Sequence, residues 1–253
     1  MIQGIKARLD IHDILLKIYR SNVSLNNIFI KNIISNNKQE DISLINNVLL
    51  NSMRYQFHTE EIIKNYVKKK LKDNERILLI SSITQIVFLN FREYAVVNCS
   101  VEIAKKKNIY HGFINAVLKN ISKDKDKLVN TTVKYSNLPN WFQMQTRDLK
   151  QNEREMFLNN FWKEPSLHLV FKGKKEITQF EEKLTKTSEY SGFLENRKKV
   201  QEIKSFNNGN CWVQDFSSFF PISTIRRFDK NKKYLDMCAA PGGKSFQILS
   251  KDI

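Results

Sequence analysis

Before Pro139 the chain contains two glycines, Gly4 and Gly112, and no proline. These residue types interrupt helices and start turns, so little in this stretch stops successive helices from forming. Apolar residues recur there at the three- and four-residue steps that line one face of a helix. The sets are Ile11, Ile14, Leu15 and Ile18; Leu79, Ile83, Ile86 and Val87; Val97, Val101 and Ala104; and Phe113, Ile114, Val117, Leu118 and Ile121. Each set predicts one apolar stripe, and together they predict a mainly α N-terminal helical bundle.

The pattern then changes. Residues 123–127 alternate in charge and lack apolar side chains, which predicts a linker. Helical signals continue to about Phe161, after which 166–171 reads as a strand, 176–184 as a helix and 210–214 as a strand, a small α+β domain. Near the C-terminus, Leu235-Asp236-Met237-Cys238-Ala239-Ala240-Pro241-Gly242-Gly243-Lys244-Ser245 reads as a buried strand running through a glycine turn into a helix. Pro241 fixes its own φ, and Gly242 and Gly243 let a ligand approach the main chain. Unpaired N–H groups at the start of a helix over 244–249 suit an anionic group, such as a nucleotide or a carboxylate-bearing cofactor. A phosphate-cradling P-loop needs a glycine where Cys238 stands, and a dinucleotide fingerprint needs separated glycines. Neither pattern is met, which leaves a P-loop phosphotransferase a distant reading.

At 253 residues the chain is long enough for about two domains, and its net charge is +16. The surplus is spread over both halves, which points to a long polyanion, RNA first. Lys105, Lys106, Lys107 and Lys119 are candidates for a basic face. No apolar run approaches the roughly eighteen residues of a membrane span, and the first twenty residues carry Asp10, His12 and Asp13, unlike a secretion signal. A cytoplasmic location, no membrane and no metal are expected, because Cys99, Cys211 and Cys238 and the four histidines are scattered without ligand spacing.

Asp236 to Ser245 closely resembles the cofactor loop of the RsmB/Sun family of RNA cytosine-5 methyltransferases, every fixed position filled. Val213-Gln214-Asp215 followed by Ser217-Ser218 resembles the signature that precedes this loop. Ala95-Val96-Val97-Asn98, Val101 to Lys105 and Gly112 to Leu118 resemble the last two helices of a NusB-like domain, and Leu138-Pro139-Asn140-Trp141-Phe142 is another pairing expected of the family. The resemblance implies a NusB-like all-helical RNA-binding domain over 1–125 and linker helices with a small α+β RNA-holding domain over 126–230. Residues 231–253 would be the first strand, glycine turn and helix of an incomplete S-adenosylmethionine-binding domain, the truncated start of a Rossmann-like α/β methyltransferase domain.

Cys238, Ala239, Ala240, Pro241, Gly242, Gly243 and Lys244 are then the cofactor-binding residues, for S-adenosyl-L-methionine. In the family a cysteine thiolate adds to carbon 6 of the target cytosine, which activates carbon 5 for the methyl group, and a second cysteine assists product release. Both lie in later motifs that this sequence does not contain, so no catalytic residue is carried over, and Cys238 belongs to the cofactor loop. Where the family shows Arg-x-Asn, this chain has Leu169-Val170-Phe171-Lys172, a departure from the pattern at the strand where the resemblance implies an RNA contact. The expectation is the N-terminal portion of a 16S rRNA (cytosine-5)-methyltransferase: a monomer that binds RNA, 16S ribosomal RNA first, and S-adenosyl-L-methionine weakly or not at all, with residues 234–253 poorly packed. The alternative is a non-catalytic NusB-type RNA-binding module.

Overall fold

The structure, a computed structural model, describes residues 4–250 other than 197, 226, 227 and 230, without the side chains of 28 and 29. Residues 251–253, the end of the segment expected to open a cofactor domain, lie outside it. The chain divides into two compact units, Met1–Lys163 and Glu164–Ile253.

The first unit is helical: α1 (Ile5–Ser21), α2 (Ile28–Ser35), α3 (Gln39–Arg54), α4 (Gln56–Tyr66), α5 (Asp73–Ile83), α6 (Glu93–Lys106), α7 (His111–Lys123), α8 (Lys125–Leu128), α9 (Asn140–Gln145) and α10 (Gln151–Phe161). The predicted stripes are where the core forms, with Ile11, Ile14, Ile114, Leu118 and Ile121 fully or almost fully buried. Helix α5 departs from the one-stripe reading. Every residue from Ile77 to Ile83 is buried, and the π-helical turn Thr84–Phe88 that continues it buries Thr84, Gln85, Ile86 and Val87. A helix apolar all round occupies the middle of a bundle, and helices α1, α3, α4, α6 and α7 pack on α5. Its small polar groups are satisfied locally: Ser81 and Ser82 donate to the Leu78 carbonyl, and Gln85 donates to that of Ser81 while accepting from Arg8 Nε at 2.7 Å.

In α6 the buried face is Val96, Val97, Cys99, Ser100, Ile103 and Ala104, with Val101 at its margin. The alternating charges of 123–127 are tied to the bundle. Tyr66 donates to Asp124, and Lys125 pairs with Glu93 at 2.6 Å.

The second unit holds β1 (His168–Phe171), α11 (Lys174–Thr178), β2 (Leu184–Ser188), β3 (Ser191–Leu194), α12 (Lys204–Asn207), β4 (Cys211–Val213), α13 (Phe216–Ser223) and α14 (Gly243–Leu249). Its sheet is antiparallel, in the order β2-β3-β1-β4. Strand β1 is central and buried on both faces. Successive side chains point to opposite faces: Leu169 and Phe171 join Ile177, Leu194, Ile203 and Cys211 in one core, and the His168 ring lies against Phe193, Phe216 and Phe219 on the other.

Two expectations are corrected. The helix expected over 176–184 ends at Thr178, and Leu184 opens β2, because Thr185 and Thr187 supply β-branched residues in alternation for pairing with β3. The strand expected at Leu235 is not formed: 233–236 has no regular structure, and Leu235 and Met237 are each 86% exposed. A strand is stabilised by hydrogen bonds to a neighbour, and among the described residues none pairs with this segment. The glycine turn therefore leads into α14 without the strand that would begin a Rossmann-like domain.

Truncating Ile83, which has no exposed surface, should cost about 2–5 kcal/mol. Urea unfolding of Ile83→Ala should show a correspondingly lower midpoint, whereas Met144→Ala, at a site 69% exposed, should change stability by less than about 0.5 kcal/mol.

Candidate functional site

The seven residues expected to bind a cofactor form one continuous loop. Cys238, Ala239, Ala240 and Pro241 are exposed, and Gly242, Gly243 and Lys244 are partly buried. Asp236 organises the turn: its carboxylate accepts from the Cys238 N–H at 3.1 Å and from the Ser245 hydroxyl at 2.7 Å. Gly242 has φ +109, a conformation that L side chains rarely adopt, and a Cβ there would lie 2.9 Å from the Phe246 ring. A Cβ on Gly243 would meet Gln214 at 3.2 Å. Both glycines thus allow α14 to pack closely. The first N–H with a partner is that of Phe246, which donates to the Gly242 carbonyl at 2.8 Å. Those of Gly243, Lys244 and Ser245 have no partner among the described residues, as at any uncapped helix start.

The loop is anchored by residues the sequence placed in a different motif. Gln214 is 5% exposed; its amide accepts from Trp212 Nε1 at 2.9 Å and donates to Gln247 Oε1 at 3.2 Å. Gln247, also buried, donates to the Phe219 carbonyl at 3.0 Å. The Trp212 and Phe246 rings meet edge-on, with centroids 5.9 Å apart. Asp215, next along, caps α13 by accepting from the Ser217 N–H at 2.9 Å, and the Ser217 hydrogen bonds hold its carboxyl below the usual range. The expectation that 234–253 packs poorly therefore divides: the loop and Leu249 are exposed, while α14 is docked through Gln247.

His168 completes the anchor. Its Nδ1 lies 2.8 Å from the Gln214 carbonyl and its Nε2 2.8 Å from the Thr187 hydroxyl. A carbonyl only accepts, so Nδ1 carries the proton and Nε2 receives the hydroxyl hydrogen. Burial pushes this histidine below its ordinary value of 6.5, so it is held neutral. Sequence reasoning did not single out His168 or Gln247; the available signal was a polar residue inside an apolar run, Leu-His-Leu-Val-Phe and Phe-Gln-Ile-Leu.

No candidate nucleophile emerges from the buried cysteines. Burial pushes Cys211 up to about 11 and raises Cys99 as well, so both remain thiols near neutral pH. Leu169, Val170 and Phe171 are committed to the core of the sheet, and Lys172 is exposed. The expected basic face is thinner than its sequence. Lys105 pairs with Glu102 and Lys107 with Asp13, each at 2.6 Å. Burial alone would raise the Asp13 carboxyl, but hydrogen bonds from His12 and Lys107 hold it low. Lys106 and Lys119 have no partner among the described residues. No grouping of three metal-ligating side chains, and no helix long and apolar enough to cross a membrane, occurs among the described residues.

Residues 6–123 match the NusB family. The chain is 27% identical over 237 residues to the Coxiella burnetii protein named "Probable ribosomal RNA small subunit methyltransferase B", covering 86% of this chain and 54% of the relative. It is 24% identical over 229 residues to the ribosomal RNA small subunit methyltransferase B of Pasteurella multocida, covering 85% and 51%. The chain is similar over most of its length to these ribosomal RNA methyltransferases. It spans about half the length of the curated relatives it matches. In fold it is similar to the crystal structure of PH0851, with a TM-score of 0.52 at 14% identity over 99% of this chain and 61% of that one. Gln214 of the Val-Gln-Asp stretch meets Gln247, in the helix that follows the glycine loop.

Two outcomes follow for this site. Gly242→Ala should destabilise the second unit by about 1–2 kcal/mol through its positive φ alone, measured as faster hydrogen exchange of α14. Because burial depresses His168, its neutral form contributes stability above pH 6.5 that is lost as pH falls from there through the lower folded value. Melting temperature should decline as pH falls below about 6.5, and His168→Gln should flatten that decline.

Proposed function

We propose that these 253 residues are the N-terminal, RNA-holding portion of an RsmB-like 16S rRNA (cytosine-5)-methyltransferase of the cytoplasm. Residues 1–125 and 126–230 would hold ribosomal RNA, and 231–253 would contribute the loop for S-adenosyl-L-methionine. The observation that carries this reading is the Gln214–Gln247 contact. It joins the Val-Gln-Asp motif to the helix that follows the Cys-Ala-Ala-Pro-Gly-Gly-Lys loop, as expected if both serve one site. The names of the matched relatives and a net charge of +16 support the same substrate class.

The loop residues fit the cofactor in part. Cys238 to Lys244 present a turn in which the Gly243 and Lys244 N–H groups have no partner among the described residues and neither glycine carries a side chain, suited to a carboxylate. S-adenosyl-L-methionine would supply the methyl group; the chain's own contribution is to position the loop through Asp236 and Gln214. The cytosine-attacking thiolate is assigned to none of Cys99, Cys211 and Cys238. The second reading is a non-catalytic NusB-type RNA-binding module.

The test is a titration of the chain with a 16S rRNA fragment, beside a labelled methyl-transfer assay and a cofactor titration. Binding that weakens steeply between about 50 and 200 mM salt, without methyl transfer and with only feeble cofactor binding, is expected. Absence of binding at low salt overturns the RNA-holding role. Methyl transfer to cytosine by this chain overturns the assignment of the thiolate, and saturable cofactor binding at micromolar concentration counts against the module.

A further inference from the structure

The stretch Leu138-Pro139-Asn140-Trp141-Phe142 has no part in the glycine loop or its anchor. It opens α9 in the helical unit, and its apolar residues are treated unequally. Leu138 is buried and Phe142 half-buried, whereas Trp141 keeps 67% of its surface in water. Single exposed aliphatic residues are ordinary on a protein surface. An indole is a larger apolar body, and tryptophan is concentrated where a surface meets a partner.

The indole is held in a fixed orientation by a row of rings behind it. Phe142 meets Trp141 edge-on, with centroids 5.7 Å apart and planes at 82°. Phe142 is itself fixed between Phe157 of α10, at 5.3 Å, and Tyr135, at 6.5 Å. The Tyr135 hydroxyl donates to the Gln143 carbonyl at 3.1 Å, which ties this ring along α9. On Tyr135 lies the Arg154 guanidinium, 4.7 Å from the ring centre, and Arg154 Nη2 donates to the Arg147 carbonyl. Three aromatic rings and a cation therefore stand in one contact series that ends at an open indole. The carboxylates of α10 are committed elsewhere: Glu153 accepts from the Lys150 N–H at 2.7 Å and Glu155 from the Gln151 amide at 3.1 Å.

We infer that Trp141 is a stacking platform for one unpaired base of RNA, an inference that rests on the RNA-holding role proposed above. The face of a base is flat and apolar, and in a single strand it is free to lie on an aromatic ring. A ring already held in place loses little freedom when the base arrives. Charge selects RNA over a second copy of this chain. The row ends in Arg154, which holds the backbone of the exposed Arg147, and the chain carries a net charge of +16. A second copy would bring like charge to this face, whereas a phosphate chain brings the opposite sign. The ring defines the place, and the charge only chooses between occupants.

The experiment compares the full chain with Trp141→Ala, Trp141→Phe and Tyr110→Ala, the last removing another exposed ring of the same unit. Each is titrated over a salt series with a fluorescein-labelled single-stranded RNA of mixed sequence and with a duplex of the same length, and thermal unfolding confirms that each is folded. Trp141→Ala should weaken single-strand binding roughly 5- to 150-fold, the worth of one stacked base, with an unchanged salt slope because stacking releases no counterions. Duplex binding should stay the same, since paired bases are already stacked on one another. Trp141→Phe should keep most of the affinity, and Tyr110→Ala all of it. Single-strand affinity unchanged in Trp141→Ala, an equal loss for the duplex, or an equal loss in Tyr110→Ala overturns the platform and leaves the RNA-holding role standing. Self-association of the unaltered chain that Trp141→Ala abolishes, with RNA affinity unchanged, assigns the face to a second copy and overturns the platform too. No binding of either RNA by the unaltered chain at low salt overturns both.

Discussion

The Gln214 amide uses both of its ends inside the protein, accepting from Trp212 and donating to Gln247, while its backbone carbonyl receives the His168 ring. A carboxamide buried to 5% exposure is costly when unpaired and specific when fully paired. These bonds connect β1, β4 and α14, and through the Gln247 bond to Phe219 they reach α13. The glycine loop is thereby attached to a rigid antiparallel sheet, although its own residues are mostly open to solvent. Asp236 then needs only to close the turn, which it does through the Cys238 N–H and the Ser245 hydroxyl.

The helical unit is organised by burial instead. Helix α5 has no solvent face from Ile77 to Ile83, so its neighbours must cover it on all sides. That leaves their charged residues outside, where lysines either find carboxylates or remain free.

The helices were legible because long stretches without glycine or proline let apolar spacing speak directly, as at Ile11, Ile14 and Leu15 or Ile114, Leu118 and Ile121. Strand β2 was not, because Leu184-Thr185-Lys186-Thr187-Ser188 offers one apolar residue, and its stability comes from pairing with β3. The Leu235 strand was misread for the complementary reason: an apolar residue before a glycine turn forms a strand only where a neighbour exists to pair with it. The loop residues Cys238 to Lys244 were legible as a motif. Their anchor was not, since nothing in one sequence shows that Gln214 and Gln247 meet. Likewise, the pairing of Lys107 with Asp13 joins residues far apart in the chain, so a run of three lysines looked more basic than it is.

The most direct test of this account is a double-mutant cycle on Gln214 and Gln247, measured by urea unfolding of the second unit in Gln214→Ala, Gln247→Ala and the double variant. A coupling energy of about 0.5–3 kcal/mol, as for residues in one hydrogen-bonded network, is the result predicted. Effects that add to within about 0.3 kcal/mol would contradict the claim that this amide pair holds the glycine loop to the sheet.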